Sequence, residues 1–165
     1  MSFIDFLFGV FAMLAAFGAL AILFSRNVFK SAMYLLVTLL SIAALYVLTY
    51  AEFLAVTQIL IYAGGITILI IFGIMLTTRI TGHPLVVKNA HILSGSLAAI
   101  GLFIVLVKFI SPLSPGRTSL EPKDISHIGL QIFSTYSLPF EVAGVLLLIS
   151  LVGAAVVASH LKAKA

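Results

Sequence analysis

Five long apolar runs dominate this sequence of 165 residues and constrain its fold more than any other feature. A bilayer core about 30 Å thick is crossed by about 20 helical residues, each rising about 1.5 Å. Lipid offers the backbone no hydrogen-bond partner, so each run must satisfy its own amides, which an α-helix does. The sequence therefore predicts an all-α integral membrane protein, a single membrane domain over residues 1–165. Its five predicted transmembrane helices are residues 3–24, 29–50, 52–77, 90–110 and 139–159.

The composition excludes several classes of protein. Charged residues make up 8% of the chain, against about 25% in a soluble domain. The basic residues are scattered between apolar runs, which argues against nucleic acid as a partner. There is no cysteine, so the chain holds no disulfide, cysteine-ligated zinc or iron–sulfur cluster of its own. The four histidines, which lack metal-ligand spacing, are His83, His91, His127 and His160.

The charges between the runs predict the orientation in the membrane. The first run carries Asp5 and no basic leader, so we interpret it as a retained helix and not as a signal peptide. With five spans, one side of the membrane receives no acids and the basic residues Arg26, Lys30, Arg79, Lys88, Lys162 and Lys164. The other side receives three basic residues and all five acids. The positive-inside bias then predicts an outer N-terminus and a cytoplasmic C-terminus.

The connection over residues 111–138, predicted to lie on the outer face, has two halves of different character. Pro112, Pro115, Gly116 and Pro122 favour an irregular first half. The second half has apolar residues at helical spacing, with Asp124 available as a cap. Two structures fit it equally well: a short helix on the membrane surface, or a loop that packs against neighbouring subunits.

The third run carries the most informative polar residues. Tyr62 lies ten residues from Glu52, about 15 Å along the helix and near the middle of the bilayer. Gln58 is four residues before Tyr62, so the two are expected to share a helix face, which Gly65 extends. The pair Gly64-Gly65 weakens the local backbone and favours a π-bulge or a kink. Either this is a notch where helices pack closely, or it is a hinge beside a path for water.

The other runs contain small and weakly polar residues of the kind that pack membrane helices together. In the first run we expect a seam of Ala12, Ala16 and Ala19 with Gly9 nearby, and in the second a face of Tyr34, Thr38 and Ser41. No Asp, Glu, Lys or Arg lies in the middle of any run. A complete proton or ion pump normally has such a group there, so the chain is expected to work together with other membrane subunits.

The third run resembles the third helix of subunit J of bacterial respiratory complex I, the counterpart of mitochondrial NADH dehydrogenase subunit 6. The matching residues are Phe53-Leu54-Ala55, Gln58, Tyr62-Ala63-Gly64, Leu69, Phe72 and Met75-Leu76, and Arg26-Asn27-Val28 resembles the family's entry into helix two. The resemblance implies a multi-pass protein of the bacterial inner membrane that binds no cofactor itself. FMN, iron–sulfur clusters and quinone would be bound by other subunits. The implied partners are the quinone-proximal subunit, the small subunit K, the antiporter-like subunits and lipid.

The resemblance also implies a function for helix three. In that family a π-bulge around the Tyr-x-Gly segment is thought to convert to regular helix and to gate water access to the proton path. Carried over by position, the gating residues are Tyr62, Gly64 and Gly65, with Gln58 and Glu52 as weaker candidates, and no residue is catalytic. The sequence leaves open a related complex, such as a membrane-bound hydrogenase or an F420H2- or ferredoxin-linked enzyme, and a small stand-alone channel or transporter.

Overall fold

The computed structural model describes residues 3–81, 92–111 and 125–163, and these ranges are almost entirely helical. The helices are α1 (Phe3–Phe24), α2 (Val28–Leu48), α3 (Glu52–Thr57), a π-helix (Gln58–Thr67), α4 (Ile68–Thr81), α5 (Ile92–Ile110), α6 (Ile125–Ser134) and α7 (Ser137–Ala163). We call Gln58–Thr67 the π segment. Together, α3, the π segment and α4 form the third span. Within these ranges five helices are long and apolar enough to cross a membrane, which confirms the predicted fold class.

Some predictions concern residues outside these ranges. The proline-rich half of the connection, with Asp124, lies outside the described residues, as do His83, Lys88, His91 and Lys164. The orientation of the termini and the single membrane domain stay predictions.

The short connection between α1 and α2 is fixed by Asn27. Its side-chain Oδ1 accepts hydrogen bonds from the backbone N–H groups of Phe29 at 2.9 Å and Lys30 at 3.3 Å. This is an N-cap, which satisfies amides that have no partner within the helix. The backbone carbonyl of Asn27 in turn accepts hydrogen bonds from the hydroxyls of Ser25 and Ser31, both at 3.1 Å. One polar residue therefore organises the whole entry into α2.

The hairpin between α2 and the third span turns on Tyr50. This residue has a φ of 57°, in the left-handed region where glycine is the usual residue. The amide of Ala51 donates to the carbonyl of Tyr46 at 2.9 Å and that of Tyr50 to Val47 at 3.1 Å. This pair of hydrogen bonds is the Schellman arrangement that ends a helix. The turn places α2 and α3 side by side, as expected for two predicted helices that are separated only by Ala51.

The helices α1 and α2 approach closely at Gly18, which is buried. A Cβ atom at this position would collide with the hydroxyl of Thr38 and would lie 3.3 Å from the carbonyl oxygen of Tyr34. Of the expected seam, Gly9 and Ala12 are half-buried and Ala16 and Ala19 are exposed in this chain, so its contact with other subunits stays a prediction. The sequence pattern contains several small residues one turn apart, and only the packing angle of the helices selects among them.

The hydroxyls of α2 bind within their own helix. Thr38 donates to the carbonyl of Tyr34 at 2.9 Å, and Ser41 donates to that of Val37 at 2.8 Å. Both residues are buried, because α2 contacts α1 on one side and the third span on the other. They therefore let helices approach closely, and they do not cross-link them.

Residues 121–165 form a second compact unit, whose described part contains α6 and α7. The rings of Phe133 and Phe140 meet edge to face, with centroids 5.1 Å apart. Ile128 and Ile132 are half-buried, as expected for the apolar stripe of a helix that contacts α7. The helical spacing of the second half of the connection is thus confirmed over Ile125–Ser134, and its position on the membrane surface stays a prediction.

Most of the apolar surface of the spans is uncovered. None of the residues in the most apolar stretches of Leu93–Ile110 or Ser137–His160 is buried. An uninterrupted apolar surface of this extent needs lipid or other proteins around it. The described core is confined to α1, α2 and the third span.

Candidate functional site in the third span

The π segment interrupts the third span over ten residues, Gln58–Thr67. In a π-helix each backbone N–H binds the carbonyl five residues back and not four, and such helices usually last only a single turn. The sequence prediction of a π-bulge in helix three is therefore confirmed, and the irregular stretch is longer than one bulge. The segment contains four of the five predicted site residues, Gln58, Tyr62, Gly64 and Gly65. Glu52 lies outside it, exposed in the first turn of α3.

The two glycines of the π segment are not equivalent. A Cβ atom built on Gly64 would lie 3.0 Å from the carbonyl oxygen of Ile59, whereas one on Gly65 would lie 3.5 Å from that of Leu60. In both cases the carbonyl is five residues back, because the wide turn brings it near. A separation of 3.5 Å is ordinary contact, and 3.0 Å requires the carbonyl to move. The π geometry therefore leaves less room for a side chain at Gly64 than at Gly65.

Thr67 closes the π segment and was not among the predicted site residues. Its hydroxyl donates to the carbonyl oxygen of Tyr62 at 2.7 Å, and the residue is 0% exposed. Elsewhere in this span a threonine binds the usual carbonyl four residues back, as Thr78 does with Ile74. The bond from Thr67 reaches five residues back, which only the wider turn permits. A threonine five residues after Tyr62 is the one sequence signal that points to it.

The π segment also changes which residues face α2. The buried residues of the third span are Ala55, Gln58, Ala63 and Thr67, and this part of the span contacts α2. Five residues in an α-helix turn about 140° beyond one full turn, so Gln58 and Ala63 would not share a face there. In the π-helix, residues five apart lie on successive turns.

Tyr62 and Gly65 do not join Gln58 on this buried face. Tyr62 is 49% exposed, while Gln58 is 9% exposed, and Gly65 is also exposed. The predicted common face assumed the spacing of a regular α-helix, which this stretch does not have. The structure thus directs Gln58 toward α2 and leaves the ring of Tyr62 accessible.

The side chains of Gln58 and Tyr62 have no hydrogen bond within the described residues. An unpaired amide or phenol in an apolar medium costs about 2–7 kcal/mol. A Tyr62 hydroxyl near the centre of a bilayer therefore needs water or a polar group from another protein. The described residues hold no cluster of three or more metal-ligating side chains.

Comparison with known proteins shows where these features belong. A family model described as NADH-ubiquinone/plastoquinone oxidoreductase chain 6 matches residues 18–157. The chain belongs to this family. The match includes α2 and the whole third span.

Individual relatives are similar over most of their length. Chloroplastic NAD(P)H-quinone oxidoreductase subunit 6 of Chara vulgaris is 40% identical, over 87% of this chain and 84% of the relative. NAD(P)H-quinone oxidoreductase chain 6 of Synechocystis is 36% identical, over 94% and 80%. F(420)H(2) dehydrogenase subunit J of Methanosarcina mazei is 33% identical, over 89% and 86%. These relatives are subunits of complex I-type oxidoreductases, and the resemblance to subunit J is confirmed.

Proposed function

We propose that this chain is a coupling subunit of a proton-pumping NADH:quinone oxidoreductase and itself catalyses no redox step. The observation that carries the proposal is the π segment, which lies midway along the third span. Family membership supports the enzyme class, and the π geometry of Gln58–Thr67 supports the proposed mechanism.

In the proposed mechanism the third span alternates between the observed π geometry over Gln58–Thr67 and regular α-helix. A π turn holds one more residue than the α turn that can replace it, so removing one such turn rotates the chain beyond it by about 100°. The rotation would change which side chains of the π segment and α4 face α2. It would also carry Tyr62, whose hydroxyl has no partner within the described residues, toward or away from a neighbouring polar group. Such a rotation is able to connect and disconnect a chain of hydrogen-bonded water.

The third span is suited to gating and not to proton storage. Between Glu52 and Arg79 the sequence contains no Asp, Glu, Lys, Arg or His. Proton-carrying groups in membranes are normally such residues, so the groups that this gate serves would belong to neighbouring subunits.

The proposal also concerns the neighbouring subunits of the chain and the cofactors that they would hold. Its neighbours would be the quinone-proximal subunit, the small subunit K and the antiporter-like subunits. FMN, iron–sulfur clusters and quinone would be held by other chains of the complex. The broad apolar surface of α5 and α7 fits a multi-pass subunit surrounded by lipid and protein in a bacterial inner membrane.

The test is substitution at the π segment in the assembled complex. Tyr62→Phe removes only the hydroxyl, and Gly64→Val places a branched side chain against the carbonyl of Ile59. We expect both to lower proton pumping and quinone-linked turnover while the complex still assembles. Pumping is measured by quenching of a pH-sensitive dye in proteoliposomes, and assembly by co-purification of the subunits. Normal pumping in both variants would leave the segment with a packing role only.

A second candidate is the homologous subunit of an F420H2-linked complex. The similarity to F(420)H(2) dehydrogenase subunit J of Methanosarcina mazei favours it. The electron donor would bind other chains, so the two candidates share the same gate. Purification in mild detergent, identification of the co-purifying subunits and comparison of NADH with F420H2 as donor decide between them.

A further inference from the structure

A cavity of about 440 Å³ opens between the end of α1 and the start of α2. Its lining has an apolar part and a polar part that includes two cations. The apolar part is Ala21, Phe24 and the ring of Tyr34, and the polar part is Ser25, Arg26, Asn27 and Lys30. It lies about 30 residues before the π segment in sequence and shares no residue with it.

The charge in this cavity is positive and uncompensated. Arg26 and Lys30 are both exposed, and no acidic residue lines the cavity. Neither side chain forms an ion pair with the described part of the chain. Two cations held four residues apart form a site that favours an anion with several oxygen acceptors.

The position of the cavity selects the kind of anion. It lies at the ends of two spanning helices, Phe3–Phe24 and Val28–Leu48, where the apolar core of a membrane gives way to head groups. Tyr34 lies one turn deeper than Lys30, and aromatic residues of this kind are enriched at that level. A ligand with a negative head and an apolar body would match both parts of the lining.

We propose that this cavity binds the head group of an anionic phospholipid. The phosphate lies between Arg26 and Lys30, and the upper part of an acyl chain lies along Phe24 and Tyr34. Basic pockets between membrane helices are suited to such head groups. The bound lipid would hold the α1–α2 connection at a fixed depth in the membrane.

A second cavity nearby provides a contrast. It has about 200 Å³ and is lined by Ile22, Val28, Ser31, Ala32, Leu35, Ile70 and Ile74. It contains no charged residue and only one hydroxyl, so it has nothing to hold a phosphate. The two cavities therefore differ in charge, because only the first is lined by cations, Arg26 and Lys30.

Photo-crosslinking in the intact complex tests the proposal. The complex is placed in phosphatidylcholine nanodiscs with a trace of photoreactive phosphatidylglycerol, or of photoreactive phosphatidylcholine, and labelled peptides are identified by mass spectrometry. We expect phosphatidylglycerol, but not phosphatidylcholine, to label residues 21–34. A basic residue near a membrane surface changes binding of an anionic lipid about five-fold. Lys30→Gln should therefore reduce labelling about five-fold, and Arg26→Gln with Lys30→Gln about 25-fold.

The matched control is Lys108→Gln, which removes one positive charge from the last turn of α5 and leaves the cavity intact. It should label like the unmodified complex. The single variant Lys30→Gln decides the matter if the double variant does not assemble. Equal labelling by phosphatidylcholine, loss of labelling on adding inorganic phosphate, or a segment 21–34 shielded by an acidic neighbouring subunit would each overturn the proposal. None of these outcomes bears on the gate in the third span.

Discussion

The sharpest prediction concerns the glycines of the third span, which form a graded series. A Cβ atom would lie 3.0 Å from the carbonyl oxygen five residues back at Gly64 and 3.5 Å at Gly65, whereas at Gly73 it would meet nothing within 4 Å beyond the backbone of its own helical turns. Each Gly→Ala change brings the same gain in helix propensity, about 1 kcal/mol. Differences among the three variants therefore report the contact with the carbonyl.

The magnitude follows from that contact. Crowding of this kind in a packed site costs about 1–3 kcal/mol. Since regular α-helix accommodates alanine without crowding, Gly64→Ala disfavours the π geometry by that amount. The equilibrium between π and α geometry should then shift about 5-fold or more. For Gly65→Ala and Gly73→Ala we expect less than about 0.5 kcal/mol.

Two measurements on the reconstituted complex check this prediction. Hydrogen–deuterium exchange of residues 58–67 should slow in Gly64→Ala, because regular helix protects its amides better. Proton pumping per quinone reduced should fall in the same variant and stay near the original value in the other two. If Gly73→Ala impaired pumping as much as Gly64→Ala, contact with the Ile59 carbonyl would not be the cause.

Three other substitutions test the packing around this segment. Thr67→Val keeps the shape but removes the hydroxyl bond to the Tyr62 carbonyl; it should weaken the π segment by about 1 kcal/mol, seen as altered exchange of residues 58–67 that Thr67→Ser restores. Gly18→Ala collides with the Thr38 hydroxyl and should lower stability of the detergent-solubilised chain by about 1–3 kcal/mol; adding Thr38→Ala should recover part of the loss, and no recovery would place the strain elsewhere. Tyr50→Gly relieves a left-handed φ of 57° and should raise the denaturation midpoint, by about 1 kcal/mol in stability; a lowered midpoint would mean that the ring packs more strongly than the backbone is strained.

Much of the site was accessible from the sequence because it depends on local chemistry. Gly64-Gly65 marks a weak point in a helix whatever surrounds it, and the π segment lies there. The role of Thr67 was not accessible, because a hydroxyl that binds five residues back requires the wider turn to exist first. The shared face of Gln58 and Tyr62 was derived from α-helical spacing, and the π turns invalidate that spacing.

The sequence by itself determined the five spans and the helical class, since apolar runs of this length leave the backbone no other way to satisfy its hydrogen bonds in lipid. It also determined the tight connection around Ala51 and the position of the π segment, which are properties of a few consecutive residues. Only the tertiary structure decided that α1 meets α2 at Gly18 and not at Ala16 or Ala19. Only it decided that Gln58 faces α2 while Tyr62 stays accessible. In a chain with so many apolar and small residues, several helix faces are equally suited to packing, and the choice among them belongs to the angle and rotation of whole helices.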